Sequence, residues 1–364
     1  MAGVTGQFSQ GGFESSSSVT DVAIDGRGFF RIKDANDGSV FFSRSGQFNI
    51  DKDGFLVNPD GYRVQGFTLD ETTNQVTSNV DDIVISTVPV PPSPSDDVSM
   101  SINLDSNGEA PAAFSLANPT GTSNFSAGVT VYDSLGNDHL VSLYFRKNAT
   151  NSWQYYALVD GGELTTGTAG NNVTCASGTF LFDTDGGLYS VTETTNDFDF
   201  MGATQSLALS FNFGTSKDDG GTGLDGITQF GSSSTITNIS QDGYASGSLK
   251  SIEVDADGTI SGNYTNGTTQ VISQLVVCKF NNEVALKRVG SNNYVETLES
   301  GAAVLGAPGS GGNGTLVSST LEQSNVDLAN ELIRMVVIQR GFQANSRTIT
   351  TINDLLAQLV TLGQ

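Results

Sequence analysis

An apolar heptad repeat in the last forty residues constrains the fold of this chain more than any other feature. No proline occurs after residue 324, and glycine appears there only at positions 341 and 363. One set of apolar residues recurs every seven positions and a second lies three positions further on; the sets are Leu328, Met335, Phe342, Ile349 and Leu356, and Ile338, Ile352 and Leu359. This spacing predicts a single long helix over about residues 325–362 with one apolar seam, as in a coiled coil.

Polar residues predict how this helix begins and how it meets a partner. Ser324 and Asp327 fit a helix N-terminal cap, with Asp327 in the first turn, where the helix dipole favours a negative charge. Glu331 and Asn345 lie at seam positions, and polar seam residues fix the register between helices. At 1.5 Å per residue the helix is about 57 Å long, which exceeds the width of a small β-domain. We therefore expect its far end to find a partner elsewhere.

The rest of the sequence has the character of a β-protein. Forty-one of the forty-three glycines and all eight prolines precede residue 325. Short runs rich in β-branched and aromatic residues are bounded by turn formers, as in Val129–Tyr132, Leu140–Phe145, Leu207–Phe211 and Val271–Val277. These runs predict strands of twisted antiparallel sheets.

Three turns share an Asp-x-Asp-Gly pattern: Asp51–Gly54, Asp183–Gly186 and Asp255–Gly258. Each lies between apolar runs, and hairpins explain all three because Asp caps its own turn and Gly supplies a positive φ. A calcium loop of the EF-hand type needs glycine at position 6, whereas here it stands at position 4. We expect hairpins and no metal site.

Loosely patterned segments predict where domains meet. Residues 86–98 contain clustered prolines, which favour extended backbone and cannot donate to a sheet, so we expect a link between domains. The glycine-rich, charged segment 217–226 predicts the place where the chain leaves an inserted domain. A third glycine-rich segment, 306–314, precedes the helix.

The charge balance excludes whole classes of partner. Sixteen Lys and Arg stand against thirty-nine Asp and Glu, and a net charge of −23 repels phosphate backbones and anionic lipid. We therefore expect neither nucleic acid nor a membrane as a partner. No run approaches the roughly 20 apolar residues of a membrane-spanning helix. The start, Met1–Gln7, has no secretory signal pattern, so export would require another route.

Few residues are suited to chemistry. Cys175 and Cys278 form no CxxC pattern and only His139 could join them, so we expect no zinc site, no iron–sulfur site and no cofactor. The two cysteines are either small buried hydrophobes or one optional disulfide. A Ser-His-Asp enzyme would have to use His139, in a segment that a hairpin turn explains more simply. We predict no enzymatic activity.

Several segments resemble the axial proteins of the bacterial flagellum and, among them, the hook proteins. The C-terminal signature is the most specific and comprises Leu321–Leu328, Glu331-Leu332 and Gln339–Asn345. Three segments resemble the rod and hook β-domain: Asp25–Phe30, Phe42–Phe48 and Asp53–Asn58. Val129–Gly136 with His139 resembles the domain that hook proteins insert. The family's usual N-terminal helix and Asn-rich, Gly-Phe-containing motif do not appear before Gln7-Phe8.

The resemblance implies a mainly β fold of two antiparallel β-domains, one inserted in the other, plus a long C-terminal α-helix. It implies a β-domain from residues 1–98 and 238–320, an inserted outer β-domain at 99–237, and residues 321–364 as the helix of an inner tube. The implied function is a structural subunit of the flagellar hook, which polymerises into a flexible universal joint that transmits motor torque.

The implied partners are copies of the same chain in a helical tube, a rod protein at the proximal end, a hook cap during assembly and hook–filament junction proteins at the distal end. The flagellar type III export apparatus would carry the chain to the extracellular hook of the basal body without a cleaved signal peptide. A distal rod subunit is the nearest alternative, although it would lack residues 99–237. A secreted adhesin is another alternative, which exposed aromatic residues would favour. The aromatic residues Trp153, Tyr155 and Tyr156 are better explained as members of one packed strand.

Overall fold

The computed structural model describes residues 6–70, 73, 75–204, 207 and 209–362, with side chains as far as Gln358. The chain forms two compact units. Unit 1 contains residues 1–85, 252–261 and 271–364, and unit 2 contains residues 86–251 and 262–270. The predicted class is confirmed: the fold is mainly β, and the one long helix among the described elements is C-terminal. Among the described residues, no helix has the length and apolar content that crossing a membrane requires.

The described strands, β1 to β26 in chain order, are Phe13–Ser15, Val22–Asp25, Phe29–Lys33, Val40–Ser43, Asn49–Ile50, Leu56–Val57, Arg63–Leu69, Val76–Asp82, Asp97–Asp105, Phe125–Tyr132, Asp138–Ala149, Ser152–Asp160, Asn172–Phe182, Leu188–Asn196, Ser210–Asn212, Thr228–Phe230, Thr235–Gln241, Leu249–Val254, Thr259–Tyr264, Thr269–Leu275, Val277–Lys279, Lys287–Gly290, Asn293–Val295, Val304–Gly306, Thr315–Ser318 and Thr320–Glu322. Short 3₁₀ turns span Thr120–Thr122 and Glu283–Ala285, and the helix α1 spans Leu328–Leu362.

Unit 1 is built on a sheet in which β7, β3, β4, β23 and β22 are neighbours in that order. β21 pairs with β3 and β24, β2 pairs with β25, and β1 pairs with β26. The sheet buries an aromatic cluster of Phe29, Phe42 and Phe280 beside Cys278 and Leu286. Strand β1 therefore holds the N-terminal segment against the strand that directly precedes the helix.

Unit 2 contains a five-stranded antiparallel meander, β10 to β14. Its inward residues alternate along each strand and bury Trp153, Tyr155 and Phe180 in one core. The predicted strands Val129–Tyr132 and Leu140–Phe145 are confirmed within β10 and β11. The aromatic residues of β12 are packed as predicted, since Trp153 and Tyr155 are buried and Tyr156 stacks on Phe114 at 3.9 Å.

The second sheet of unit 2 differs from the prediction of purely antiparallel sheets. Strand β9 pairs in parallel with both β15 and β16, and antiparallel with β17. The predicted strand at 207–211 is also shorter in the structure, where β15 begins at Ser210 and residue 208 lies outside the described part. The composition of a short segment predicts that it forms a strand. It does not reveal which distant strand becomes its neighbour.

The three Asp-x-Asp-Gly hairpins are confirmed. Gly54, Gly186 and Gly258 have φ values of +88°, +86° and +84°, and the N–H of each donates to the carbonyl of the first Asp of its turn. In the second hairpin the Lys217 ammonium lies 2.9 Å from an Asp183 oxygen and 2.7 Å from an Asp185 oxygen. A side-chain cation thus occupies the position between the paired carboxylates.

The proline-rich segment, residues 86–98, belongs to unit 2. It forms backbone hydrogen bonds that a simple link between domains would not need. Val90 and Gly247 exchange backbone hydrogen bonds, as do Ser93 and Tyr244, so the residues between the prolines pair with residues 244–247. The compact unit consequently begins at Ser86 rather than at residue 99, and continues to Ser251.

Candidate assembly helix and its anchor

The helix α1 begins directly after Asp327. The Asp327 carboxylate accepts hydrogen bonds from the N–H groups of Ala329 at 2.9 Å and Asn330 at 3.3 Å. Asp327 is therefore the capping residue itself. The sequence had instead indicated a position within the first turn. The Ser324 hydroxyl lies outside the helix and accepts from the Val326 N–H at 3.3 Å. The cap is one Asp, because only its carboxylate reaches the free N–H groups of the first turn.

The predicted seam side chains are exposed to solvent. The apolar members whose side chains are described have between 50 % and 75 % of their surface exposed; they are Leu328, Met335, Ile338, Phe342, Ile349, Ile352 and Leu356. Asn345 is exposed among them, and the side chain of Leu359 lies outside the described part of the chain. An apolar stripe of this length gains stability only when another surface covers it.

Further apolar residues of α1 lie outside the seam and were not part of the sequence prediction. Leu332, Ile333, Val336, Val337 and Leu355 are also exposed. Their spacings of three and four residues could have revealed them in the sequence, but the stronger heptad repeat obscured this signal. Within the helix, Glu331 is paired with Arg334 at 3.0 Å, so this polar seam residue has an intrahelical partner.

An ion pair anchors the segment before the helix to unit 1. Arg44 Nε lies 2.7 Å from Glu322 Oε2, with the two side chains only 19 % and 9 % exposed. The Arg44 guanidinium also donates to the carbonyls of Gly26 at 2.6 Å and Gly28 at 3.1 Å. Glu322 accepts a further hydrogen bond from the Gly11 N–H at 2.8 Å. A partly buried pair gains from such additional bonds, since they offset the desolvation of each charge.

The N-terminal segment completes this anchor. The Asn325 amide donates to the Ser9 carbonyl at 2.7 Å and to the Gln7 carbonyl at 3.2 Å, and the Gln323 N–H donates to the Gly12 carbonyl at 2.7 Å. A cavity of about 250 Å³ lies here, lined by polar groups of both segments and by Phe8. We call this set of contacts between residues 7–15, Arg44 and residues 320–325 the helix anchor. Sequence reasoning missed it, although Arg44 and Glu322 both lie in segments that carried the resemblance.

The single histidine is enclosed by carboxylates. His139 Nδ1 lies 2.7 Å from Glu163 Oε2, Nε2 lies 3.3 Å from Asp133 Oδ2, and the ring stacks on Phe200 at 3.8 Å. A serine nucleophile needs one ring nitrogen that accepts its proton, and both nitrogens here face carboxylates. Burial acts to raise the pKa of Asp133, but hydrogen bonds from Asn137, His139 and Leu135 outweigh it and lower that pKa.

The cysteines are free and buried, one in the core of each unit. Burial raises the pKa of both thiols to about 12. Cys175 and Cys278 therefore behave as small hydrophobic residues, the first of the two interpretations that the sequence left open. Among the residues that the structure describes, no three His, Cys, Asp or Glu side chains are grouped so that they could hold a metal ion.

Three family models match successive parts of the chain. The D1 domain of flagellar hook protein FlgE/F/G matches residues 23–110, and the D2 domain of flagellar basal body protein FlaE matches residues 103–244. The C-terminal model of the flagellar basal body rod FlgEFG proteins matches residues 317–362. Together they span both units and the helix.

Several flagellar hook proteins are similar to this chain over its whole length. The flagellar hook protein FlgE of Salmonella typhimurium is 37% identical over 370 residues, which cover 100% of this chain and 87% of that protein. Its counterpart from Escherichia coli is 35% identical over 373 residues, with the same coverage, and that of Treponema pallidum is 34% identical over 393 residues, covering 100% and 84%. The crystal structure of Helicobacter pylori flagellar hook protein FlgE2 shares the fold with a TM-score of 0.61 at 15% identity, over 85% of this chain and 100% of that one.

Proposed function

The chain belongs to the flagellar hook protein family and is a structural subunit of the hook, and we propose that α1 forms the inner layer of the tube through its heptad seam. The exposed seam of α1 carries this proposal. Seven apolar side chains follow one stripe along 35 helical residues and have no covering surface within the described chain. Burial of each such side chain contributes about 1.5–3 kcal/mol, so the stripe favours assembly with further copies.

Charge supports packing of these helices beside one another. Asp327, Glu331 and Asp354 balance Arg334, Arg340 and Arg347, so residues 325–364 carry no net charge and the whole −23 belongs to residues 1–324. Neighbouring copies of α1 therefore meet without net repulsion. The polar Asn345 within the seam limits the number of registers in which they fit.

The inserted domain, predicted at residues 99–237, is the outward part of the subunit in this proposal. Its surface is acidic and rich in glycine and polar residues, and such surfaces form weak contacts that can slide as the hook bends. The helix anchor then links the continuous inner layer to the β-domain of the same subunit. In this proposal a force on the helix reaches the β-domain of unit 1 through Arg44, Glu322 and the strands β1 and β26.

We also propose the further partners that the resemblance implies. The hook extends from a rod protein at its proximal end, grows beneath a hook cap and ends at hook–filament junction proteins. Export through the flagellar apparatus, without a cleaved signal peptide, delivers each subunit. No catalytic role or cofactor is part of the proposal.

Immunogold labelling of intact flagella with an antibody against residues 99–237 tests the location. We expect gold confined to the short curved segment between cell body and filament. Gold on the filament, or on no surface appendage, would contradict the proposal.

Two variants test the seam. Phe342→Asp places a charge in the stripe, and Gln343→Asp places the same charge on the next residue, about 100° around the helix. We expect folded subunits from both variants, since neither side chain is buried in the subunit. Only the Gln343 variant should yield hooks by electron microscopy. Normal hooks from Phe342→Asp would remove the seam from the proposal.

A further inference from the structure

Two strands of unit 1 lie at opposite ends of one row of paired strands. The row runs β8, β7, β3, β4, β23 and β22. β8 and β3 lie on opposite sides of β7, because Val64 pairs with Ile32 of β3 while its carbonyl accepts from the N–H of Ile83, directly after β8. Within the described part of the chain, no strand pairs with the outer side of β8 or of β22. Each therefore presents a free edge of backbone N–H and carbonyl groups.

The two edges carry opposite charge. The four residues of β22 are all exposed and include Lys287 and Arg288. Residues 70–82, which end with β8, contain four acidic residues and no basic one. Asp81 of β8 is exposed, and among the described residues neither Asp81 nor Lys287 belongs to an ion pair. Each edge thus has a charge that the subunit itself leaves without a partner.

The strand pairing places Lys287 and Asp81 on the same face of the sheet. Directly opposed residues of neighbouring strands share a face, and so do residues two apart on one strand. The face that joins the two charges is defined by the opposed pairs Lys287–Val295, Asn293–Ser43, Phe41–Ile32, Ile32–Val64 and Gly66–Asp81. On the other face, Asp82 is already paired with Arg63 at 3.2 Å. Asp81 is therefore the carboxylate of β8 that remains for a partner.

We propose that, in the assembled hook, the β22 edge of one copy joins the β8 edge of the next, with Lys287 of one facing Asp81 of the other. The joined strands continue the sheet from subunit to subunit through backbone hydrogen bonds. This inference goes beyond the proposed function. It rests on assembly of copies into the hook and adds a contact in the β-domain that does not involve the seam of α1.

The charges select a copy of the same chain as the partner. Charged side chains normally keep free edges from pairing indiscriminately. Two β22 edges would oppose lysine to lysine, and two β8 edges would oppose aspartate to aspartate, so each edge rejects its own kind and accepts the other. The contact joins different surfaces of the two copies and consequently does not close as a two-fold dimer. It repeats from copy to copy, as a tubular assembly requires.

Exchange of the two charges tests the inference. Lys287→Glu and Asp81→Lys are made separately and together in the full chain, with Lys52→Glu as a control on another exposed turn. Thermal unfolding should be unchanged in all of them, because the side chains are exposed. We expect each single variant at 287 or 81 to reduce the number of hooks per cell, counted by electron microscopy, roughly fivefold or more, since like charges then oppose each other. The double variant should restore hooks, and Lys52→Glu should not affect them.

The double variant decides whether the partner is a copy. Both edges belong to one chain, so exchanged charges complement each other again between copies, whereas a different partner protein would keep its own charges. Normal hooks from either single variant would overturn the inference, and so would loss of hooks that the double variant does not restore. These variants leave α1 unaltered, so that result would leave the seam in place. Absence of the wild-type chain from hooks would instead refute the proposed function.

Cross-linking supplies a second readout. Lys287→Cys and Asp81→Cys are combined in one chain, in which Cys175 and Cys278 are buried, and purified hooks are treated with a short bis-maleimide. Opposed residues of paired strands have Cβ atoms about 4.5–5.5 Å apart, whereas the two edges of one copy are separated by five strand spacings, about 24 Å. We expect a ladder of dimers, trimers and larger species on a denaturing gel, and monomer alone from each single-cysteine chain. Absence of the ladder, or dimers from Lys287→Cys alone, would contradict the β22-to-β8 contact.

Discussion

The Arg44 guanidinium and the Glu322 carboxylate meet at 2.7 Å although 278 residues of sequence separate them. Arg44 follows directly on β4, and Glu322 ends β26, five residues before the cap of α1. The pair therefore fixes the base of the helix to the sheet of unit 1. The backbone pairing of β26 with β1 ties the same segment to unit 1 independently of this ion pair.

Arg44→Met is expected to destabilise unit 1 by roughly 1.5–3 kcal/mol, because it leaves the largely covered Glu322 carboxylate without its charged hydrogen-bond partner. Hydrogen–deuterium exchange of peptides from unit 1, followed as urea is raised, measures the loss. Lys52→Met is the control, since Lys52 pairs with Asp53 on the open surface and its removal should change stability by less than about 1 kcal/mol. Equal effects of the two substitutions would show that the pair does not hold the anchor.

Unit 2 is expected to lose stability in acid through Asp133. Hydrogen bonds from Asn137, His139 and Leu135 hold the pKa of Asp133 below its ordinary value despite burial. A carboxyl whose pKa is lowered by folding stabilises the fold above its unfolded pKa and loses that contribution as pH falls through its folded pKa. The midpoint temperature of thermal unfolding of unit 2 should therefore fall below about pH 4 in the wild type, and fall less in Asp133→Asn. Parallel pH profiles for the two proteins would contradict this assignment.

Both thiols should resist alkylation in the folded chain. Burial raises the pKa of Cys175 and Cys278 to about 12, so almost no thiolate exists near neutral pH. Mass spectrometry after iodoacetamide treatment at pH 8 should find neither residue modified in native protein and both modified in urea. Rapid native modification of either thiol would show that its site opens to solvent.

Gly186→Ala should be more harmful than Gly220→Ala, although the two glycines have similar positive φ values of +86° and +84°. An added Cβ at 186 would lie 2.5 Å from the Gln229 carbonyl oxygen, whereas nothing lies within 4 Å of one at 220. The strained backbone alone costs roughly 1–3 kcal/mol, and only the 186 variant adds a backbone clash to it. Thermal unfolding of unit 2 measures both effects, and equal losses would mean that the β13–β14 turn can shift to make room.

Local signals predicted local structure well. The Asp-x-Asp-Gly turns, strands β10 and β11 and the helix α1 all follow from residue spacing that is complete within ten to forty residues. Relationships across the sequence were not accessible in this way. No pattern reveals that Arg44 meets Glu322, that β9 takes β15 and β16 as parallel neighbours, or that Val90 and Ser93 pair with residues 244–247 between the prolines.

The seam and the other apolar residues of α1 illustrate the same limit within one element. The seam could be identified from the sequence, because a single apolar stripe along a helix produces a seven-residue repeat. The apolar residues Leu332, Ile333 and Val336 became informative only when the helix proved to be exposed on every side. Spacing gives the direction of each side chain, while the need for a partner depends on what the rest of the chain leaves uncovered.

Hydrogen–deuterium exchange of α1, measured in free subunits and in purified hooks, tests the central claim most directly. We expect the amides of residues 328–358 to exchange rapidly in the subunit, where none of the described residues covers the helix, and to become strongly protected in the hook. The core strands β11 and β12 should be protected equally in both states. Exchange of α1 that is equally fast in subunit and hook would contradict assembly through this helix.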